Sequence, residues 1–223
     1  YDEEMPEEIN RVITDHVSNL LFCPTSVSVV NLEKEGVIEG VHLVGDVMYD
    51  ATLRNAPKAP ALKSVFKQLD FKEENYVLAT VHRAENTDDP RKLAEILSYI
   101  GEHAEAPVLM PLHPRTKKRI QEFGLELENV HAVGPVGYLE MITLIKNAKR
   151  IYTDSGGMQK EAYFLRTPCV TLRDETEWVE TVNCGWNRLW SVPDYQDRTE
   201  ITEYGTGNTA EIMTDIICQY FRK

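Results

Sequence analysis

The sequence predicts an α/β fold built on a parallel sheet, and three observations carry that prediction. Apolar runs of about four to six residues alternate with amphipathic stretches of about ten to fourteen, the pattern of strands crossed over by helices. Four of those runs end in polar clusters. One of the four, Thr153-Asp154-Ser155-Gly156-Gly157-Met158-Gln159-Lys160-Glu161, is a glycine-rich passage from strand into helix.

The elements follow in order. Pro6-Glu7-Glu8 opens a helix over 7–19, with acids in its first turn as the helix dipole favours. A strand at 20–23, a helix at 25–35, a strand at 41–44 and a short helix through 50–53 complete a first group. Asn55-Ala56-Pro57-Lys58-Ala59-Pro60 then reads as a linker because of its two prolines. From Tyr76 the alternation is regular. Strands are expected at 76–81, 107–111, 129–133, 150–153 and 168–172, and helices at 90–103, 115–123, 138–147, 156–165 and 177–183. A last helix runs over about 209–221. No internal repeat or low-complexity tract interrupts the pattern.

At the strand ends the residues change character. Strand 76–81 runs into His82-Arg83-Ala84-Glu85-Asn86, strand 107–111 into His113-Pro114-Arg115-Thr116, and strand 168–172 into Arg173-Asp174-Glu175-Thr176-Glu177. In an open parallel sheet these ends share one edge, where ligands bind. The Ser155-Gly156-Gly157 turn brings unpaired backbone N–H groups and the positive helix end to one point, which suits a phosphate. Glu161, farther along the same helix, is placed for a ribose diol. The same turn also reads as a plain serine cap with glycines for geometry. His82 suits a phosphate oxygen or a proton transfer near neutral pH, or else caps the strand end. His113 before Pro114 reads equally as a helix start. The Arg173 cluster either closes over a ligand or neutralises itself around a Thr176 cap. Asp88-Asp89-Pro90 is read as a cap rather than a metal site.

Composition narrows the function. A net charge of −12 argues against nonspecific binding to nucleic acid or to anionic membrane. No apolar run approaches the ~20 residues of a membrane span. Cys23, Cys169, Cys184 and Cys218 are widely spaced with no C-x-x-C pair, so free thiols and a cytoplasmic setting are expected, with no metal and no cofactor. The chain opens on Tyr1 and reads as a piece of something longer.

Taken together, the residues resemble the non-hydrolysing UDP-N-acetylglucosamine 2-epimerase family. The matching pieces are Met5-Pro6-Glu7-Glu8-Ile9-Asn10-Arg11, Phe22-Cys23-Pro24-Thr25, Val44-Gly45-Asp46, His82 to Asn86, His113 to Thr116, Thr153 to Glu161 and Arg173 to Glu177. The resemblance implies a Rossmann-like parallel sheet forming the second half of a GT-B-type two-domain architecture. Residues 1–56 would be the remnant of the N-terminal Rossmann-like domain, 57–205 the UDP-binding domain, and 206–223 a C-terminal helix. It also implies roles. Glu7 and His82 would be catalytic, and His82, Ser155, Gly156, Gly157 and Glu161 would bind the UDP-sugar. Arg83 and His113 would fall near a second, regulatory UDP-sugar in some members. The full-length protein would be a homodimer. The chain alone would bind UDP weakly without turnover.

Two departures bear on the substrate. Several bacterial members continue the Arg173 cluster with Arg-Pro-Glu where this chain has Trp178-Val179-Glu180, and Met141 stands where they place an aromatic residue near uracil. The Arg-Asp-Glu-Thr-Glu-Trp form is similar to members acting on UDP-2,3-diacetamido-glucuronic acid. The rival readings are a GT-B glycosyltransferase, which would need an acceptor, and a UDP-sugar-binding protein without catalysis.

Overall fold

The structure, a computed structural model, describes residues 6–73, 75–127 and 129–222, with the side chains of residues 6–8 outside the description. It divides into two compact units, 1–54 with 201–223, and 55–200.

The smaller unit contains α1 (Pro6–Val17), β1 (Leu21–Cys23), α2 (Ser26–Lys34), β2 (Val41–Leu43) and α3 (Val47–Asn55), together with the last helix of the chain. β1 and β2 pair in parallel, Leu21 opposite Val41 and Cys23 opposite Leu43. Their core is Leu21, Cys23 and Leu32, with Val29, Val37 and Val41 packed on it. Residues 201–210 return to this unit for identifiable reasons. Asp46 N–H donates to the Tyr204 carbonyl at 3.1 Å, and Asp50 accepts from Ala210 N–H at 2.8 Å in the first turn of the last helix. Gly45 allows the approach: its φ is +96°, and a Cβ there would stand 2.9 Å from the Tyr204 carbonyl oxygen.

The larger unit begins with a 3-10 turn at Ala56–Lys58, so the two-proline stretch is a folded turn rather than an open linker. The Pro60 carbonyl even accepts a 2.7 Å bond from Thr143 Oγ1. There follow α4 (Leu62–Leu69), β3 (Val77–Thr80), α5 (Ala84–Thr87), α6 (Pro90–His103), β4 (Val108–Pro111), α7 (Pro114–Phe123), β5 (Val130–Val133) and α8 (Tyr138–Asn147). The second half continues with β6 (Ile151–Thr153), α9 (Gly156–Phe164), β7 (Cys169–Thr171), α10 (Val179–Asn183) and β8 (Asn187–Leu189). The chain's last helix is α11 (Thr209–Tyr220).

The sheet is parallel throughout, in the order β5-β4-β3-β6-β7-β8. β3 to β5 are laid down in one direction and β6 to β8 in the other, the doubly wound order of a Rossmann-like fold. Both faces are covered. Val77 and Ala79 point into a layer with Leu93, Ile96 and Ile100 of α6, while Leu78 points into a layer with Phe66, Leu144 and Ala162. That is why β3 and β6 are buried at every position rather than alternating between buried and exposed.

The Rossmann-like parallel sheet, of the kind that makes the second half of a GT-B-type architecture, is therefore as expected. Four elements depart from expectation. α4, α5 and β8 had not been expected: α4 lies in the stretch 61–75, to which no element was assigned, and α5 is a single turn. β8 is only three residues long and carries Asn187 and Arg188, which do not read as strand. α10 starts at Val179 instead of 177, because Thr176 Oγ1 accepts from Trp178 N–H at 3.1 Å and holds a turn there.

Candidate functional site

The parallel order makes β3 and β6 neighbours, with Thr80 opposite Thr153. Sequence direction reverses between them, so their carboxyl ends border the crevice where doubly wound sheets bind ligands. A bond of 2.7 Å between Thr80 Oγ1 and Thr153 Oγ1 pins the two ends together, and Thr153 Oγ1 also accepts from Ser155 N–H at 3.0 Å.

The centre of this crevice is a carboxylate whose role the sequence reading did not assign. Asp154 is fully buried. It accepts from the backbone N–H of His82 (2.9 Å) and of Arg83 (2.9 Å), from Asn86 Nδ2 (3.1 Å), and faces His82 Nδ1 at 3.2 Å. Asn86, itself buried, also donates to the Leu172 carbonyl at 3.1 Å, which ties the end of β7 into the same knot. Burial alone would raise the Asp154 carboxyl, but His82 and the backbone N–H groups outweigh it, and its pKa lies below the ordinary value. The hydrogen bond to Asp154 raises the His82 pKa, against partial burial and the nearby Arg83 charge. Asp154 thus fixes the ring through Nδ1 and leaves Nε2 as the atom available for work. His82 is not a strand-end cap. The sequence carried part of the signal, an acid just past an apolar strand and before the Ser-Gly-Gly turn; its facing His82 comes from the β3–β6 pairing.

Beside this knot, Ser155 caps α9, its Oγ accepting from Met158 N–H at 3.3 Å. By helix geometry the N–H groups of the first turn have no intrahelical acceptor, so Gly156 and Gly157 present donors at the head of α9. Glu161 lies farther along the same helix. Burial pushes its pKa up to about 7, with the Lys160 charge pulling the other way. A carboxylate this poorly solvated gains from hydroxyl donors such as a sugar diol.

The remaining sequence candidates are placed as follows. Glu7 falls in the first turn of α1, and its side chain lies outside the described residues. His113 caps α7, Nδ1 accepting from Arg115 N–H at 3.2 Å, with its ring centroid 6.0 Å from that of His82. Asp89 caps α6 through Arg91 N–H at 2.8 Å. Arg173 pairs with Glu177 at 2.6 Å and with Glu85 at 3.4 Å, and Arg83 faces the same two acids. Met141 packs on the edge of the Leu78 layer. The four cysteines are free, and all but Cys218 are buried. Among the described residues no cluster of three or more His, Cys, Asp or Glu is arranged to hold a metal, and no helix is long and apolar enough to cross a membrane.

Comparison with known proteins gives one family. Residues 1–211 match the family described as UDP-N-acetylglucosamine 2-epimerase. A UDP-N-acetylglucosamine 2-epimerase homolog of Methanococcus maripaludis is 52% identical over 196 residues, 85% of this chain and 54% of that protein. The UDP-2,3-diacetamido-2,3-dideoxy-D-glucuronate 2-epimerase of Pseudomonas aeruginosa is 50% identical over 85% of this chain and 53% of its own length. The chain therefore spans about half the length of these curated relatives. Among solved structures, Methanocaldococcus jannaschii UDP-GlcNAc 2-epimerase in complex with UDP-GlcNAc and UDP has a TM-score of 0.85 at 38% identity, over 98% of this chain and 66% of that one.

Proposed function

The chain belongs to the UDP-N-acetylglucosamine 2-epimerase family, and from that premise we propose that it supplies the nucleotide-binding half of a UDP-sugar 2-epimerase, an isomerase that interconverts UDP-GlcNAc and UDP-ManNAc. The observation that supports this most is the side-by-side placement of His82, held by Asp154, and the Ser155-Gly156-Gly157 turn at the switch between β3 and β6. The diphosphate takes the donors at the head of α9, and Glu161 accepts from the ribose hydroxyls.

In the reaction, a base removes the C2 proton. The C2–H electron pair forms the C1–C2 double bond, and the C1–O pair leaves with UDP, giving a 2-acetamidoglucal. UDP adds back at C1 after C2 is reprotonated from the opposite face. Glu7 is proposed as a catalytic carboxylate. His82 and the α9 donors stabilise the charge that builds on departing UDP. The C2 proton is a weak acid, so the step needs close, dry positioning. A protein of the relatives' full length carrying these residues, incubated in D₂O with UDP-GlcNAc, takes up deuterium at C2. Absence of exchange would end the reading. The 223-residue chain by itself binds UDP without turnover.

A second substrate reading has its own support: the 50%-identical relative named for UDP-2,3-diacetamido-glucuronate. The same exchange experiment run on that sugar decides between them.

A further inference from the structure

A carboxylate of the protein itself stands beside the head of α9. A Cβ placed on Gly156 would collide with Oε1 of Glu177, so the Glu177 carboxylate lies directly over the first residue of the helix. Two guanidinium groups converge on it, Arg173 Nη1 at 2.6 Å and Arg83 Nη2 at 3.5 Å. Trp178 Nε1 is buried without a hydrogen-bond partner among the described residues, and it stands 2.9 Å from the same Cβ position. Two cations on one carboxylate, with an unspent N–H donor beside them at a helix N-terminus, are the groups a bound phosphate would call on.

We propose that Glu177 is a displaceable internal anion that fills the phosphate seat in the free protein, and that a nucleoside diphosphate enters by expelling it. This rests on the UDP-binding reading above. Arg83 and Arg173 then pass from Glu177 to the phosphate oxygens, which they meet in the fork geometry that guanidinium groups favour. The exchange is feasible because the Glu177 side chain is 42% exposed and can swing into water, whereas Arg173 is held at 9% exposure with Glu85 as its second partner. Ion pairs whose carboxylate stands partly in water are weak, so the seat is filled but not locked. The device acts on phosphate-bearing ligands alone. Ligands without a phosphate never meet Glu177, and every ligand with one must displace it, so apparent affinity falls by the fraction of molecules whose seat is open.

Calorimetry on the 223-residue chain tests this with UDP and uridine as probes. Glu177→Gln should tighten UDP binding on the order of tenfold, the worth of two weak pairs to a partly exposed carboxylate, and leave uridine unchanged. Glu177→Asp, which keeps the charge but falls one methylene short of the seat, should also tighten UDP binding. Glu85→Gln removes an equally exposed charge from the same network and should tighten it less than Glu177→Gln does. Equal or weaker UDP binding by both Glu177 variants, with melting curves like the parent chain, overturns the displacement and leaves the UDP site standing. An equal gain from Glu85→Gln reduces the effect to general charge and overturns it as well. If neither the parent chain nor any variant binds UDP or uridine, the nucleotide reading falls and this inference with it.

Discussion

Two charged clusters stand on the same edge of the same sheet and are built in opposite ways. Around Asp154 a fully buried carboxylate meets two backbone N–H groups, an amide and an imidazole. Around Glu177 the pairs are between long side chains, and both acids are more than 40% exposed. Backbone donors have nowhere else to go, so the first cluster fixes geometry. Arginine–glutamate pairs near water hold their partners at a small net gain, so the second can be rearranged. A fixed histidine beside an exchangeable ion-pair network suits a site that must orient one group and admit a charged ligand next to it.

The largest effect should come from breaking the buried cluster. Asp154→Ala strands four donors and removes the partner of His82, so the chain should lose about 3–5 kcal/mol in urea unfolding. The pH profile carries a sign as well. His82 has a raised pKa, so its contribution is complete below about 6.5, the unfolded value, and is lost as pH rises through the folded one. Asp154 has a lowered pKa, so its contribution is present above 3.8 and is lost as pH falls through the folded value. Asp154→Asn should flatten both limbs. A variant that unfolds like the parent at every pH would show that burial does not distinguish the clusters.

Next in size is chemistry without stability. His82→Gln keeps the backbone N–H on Asp154, so melting should move little at pH above the folded His82 pKa, where the charged pair's contribution is already lost. In a protein of the relatives' full length, turnover should fall by about 10²–10³-fold, the usual worth of one donor aimed at developing charge. Retained turnover would leave His82 as a structural ligand of Asp154 alone.

A smaller effect belongs to Glu161. Glu161→Ala should weaken UDP binding by about 1.5–3 kcal/mol if the ionised carboxylate accepts from the ribose. Its stability effect has the opposite sign. The folded pKa is pushed up to about 7, so the folded chain gives up its proton late and loses stability as pH rises from 4.5 to about 7. Glu161→Gln should therefore be more stable than the parent chain at pH 8 while binding UDP less well. UDP-GlcNAc is the useful probe, because its diphosphate keeps one charge state across this range. Equal affinity in parent chain and variant would remove Glu161 from the site.

How much of this was legible follows from the same contrast. The strands were readable because a doubly covered parallel sheet demands continuous apolar runs, as at 76–79, and the strand-end clusters stood out against them. The Ser155 turn and the Asp89 cap were readable because capping is local. Asp154 was not assigned a role because its partners, His82 and Asn86, lie about seventy residues away and meet it only through the β3–β6 pairing. β8 escaped for a related reason. Asn187 and Arg188 look like loop until Thr171 Oγ1 donates to Asn187 Oδ1 at 2.9 Å and Arg188 donates to Tyr99 Oη at 3.3 Å. The return of 201–210 to the first unit rests on Asp46 and Asp50 and leaves no periodic trace.

The smallest predicted effect is the most useful control on the comparison. Asp88 accepts from Arg115 Nη2 at 2.7 Å and from Arg119 at 3.0 and 3.1 Å, a denser set of ion pairs than Glu177 has. On contact geometry alone it should matter as much as Asp154. It is nevertheless solvent-exposed, and the two arginines lower its pKa without taking it out of water. Water and salt replace such partners readily, and α6 keeps its own cap in Asp89. Asp88→Asn should therefore leave the melting temperature and UDP affinity unchanged at 0.15 M salt, a concentration at which exposed charges are well screened. A melting shift comparable to that of Asp154→Asn would mean that ion-pair count, not burial, sets which cluster on this edge is rigid. The exchangeability assigned to Glu177 would then lose its physical basis.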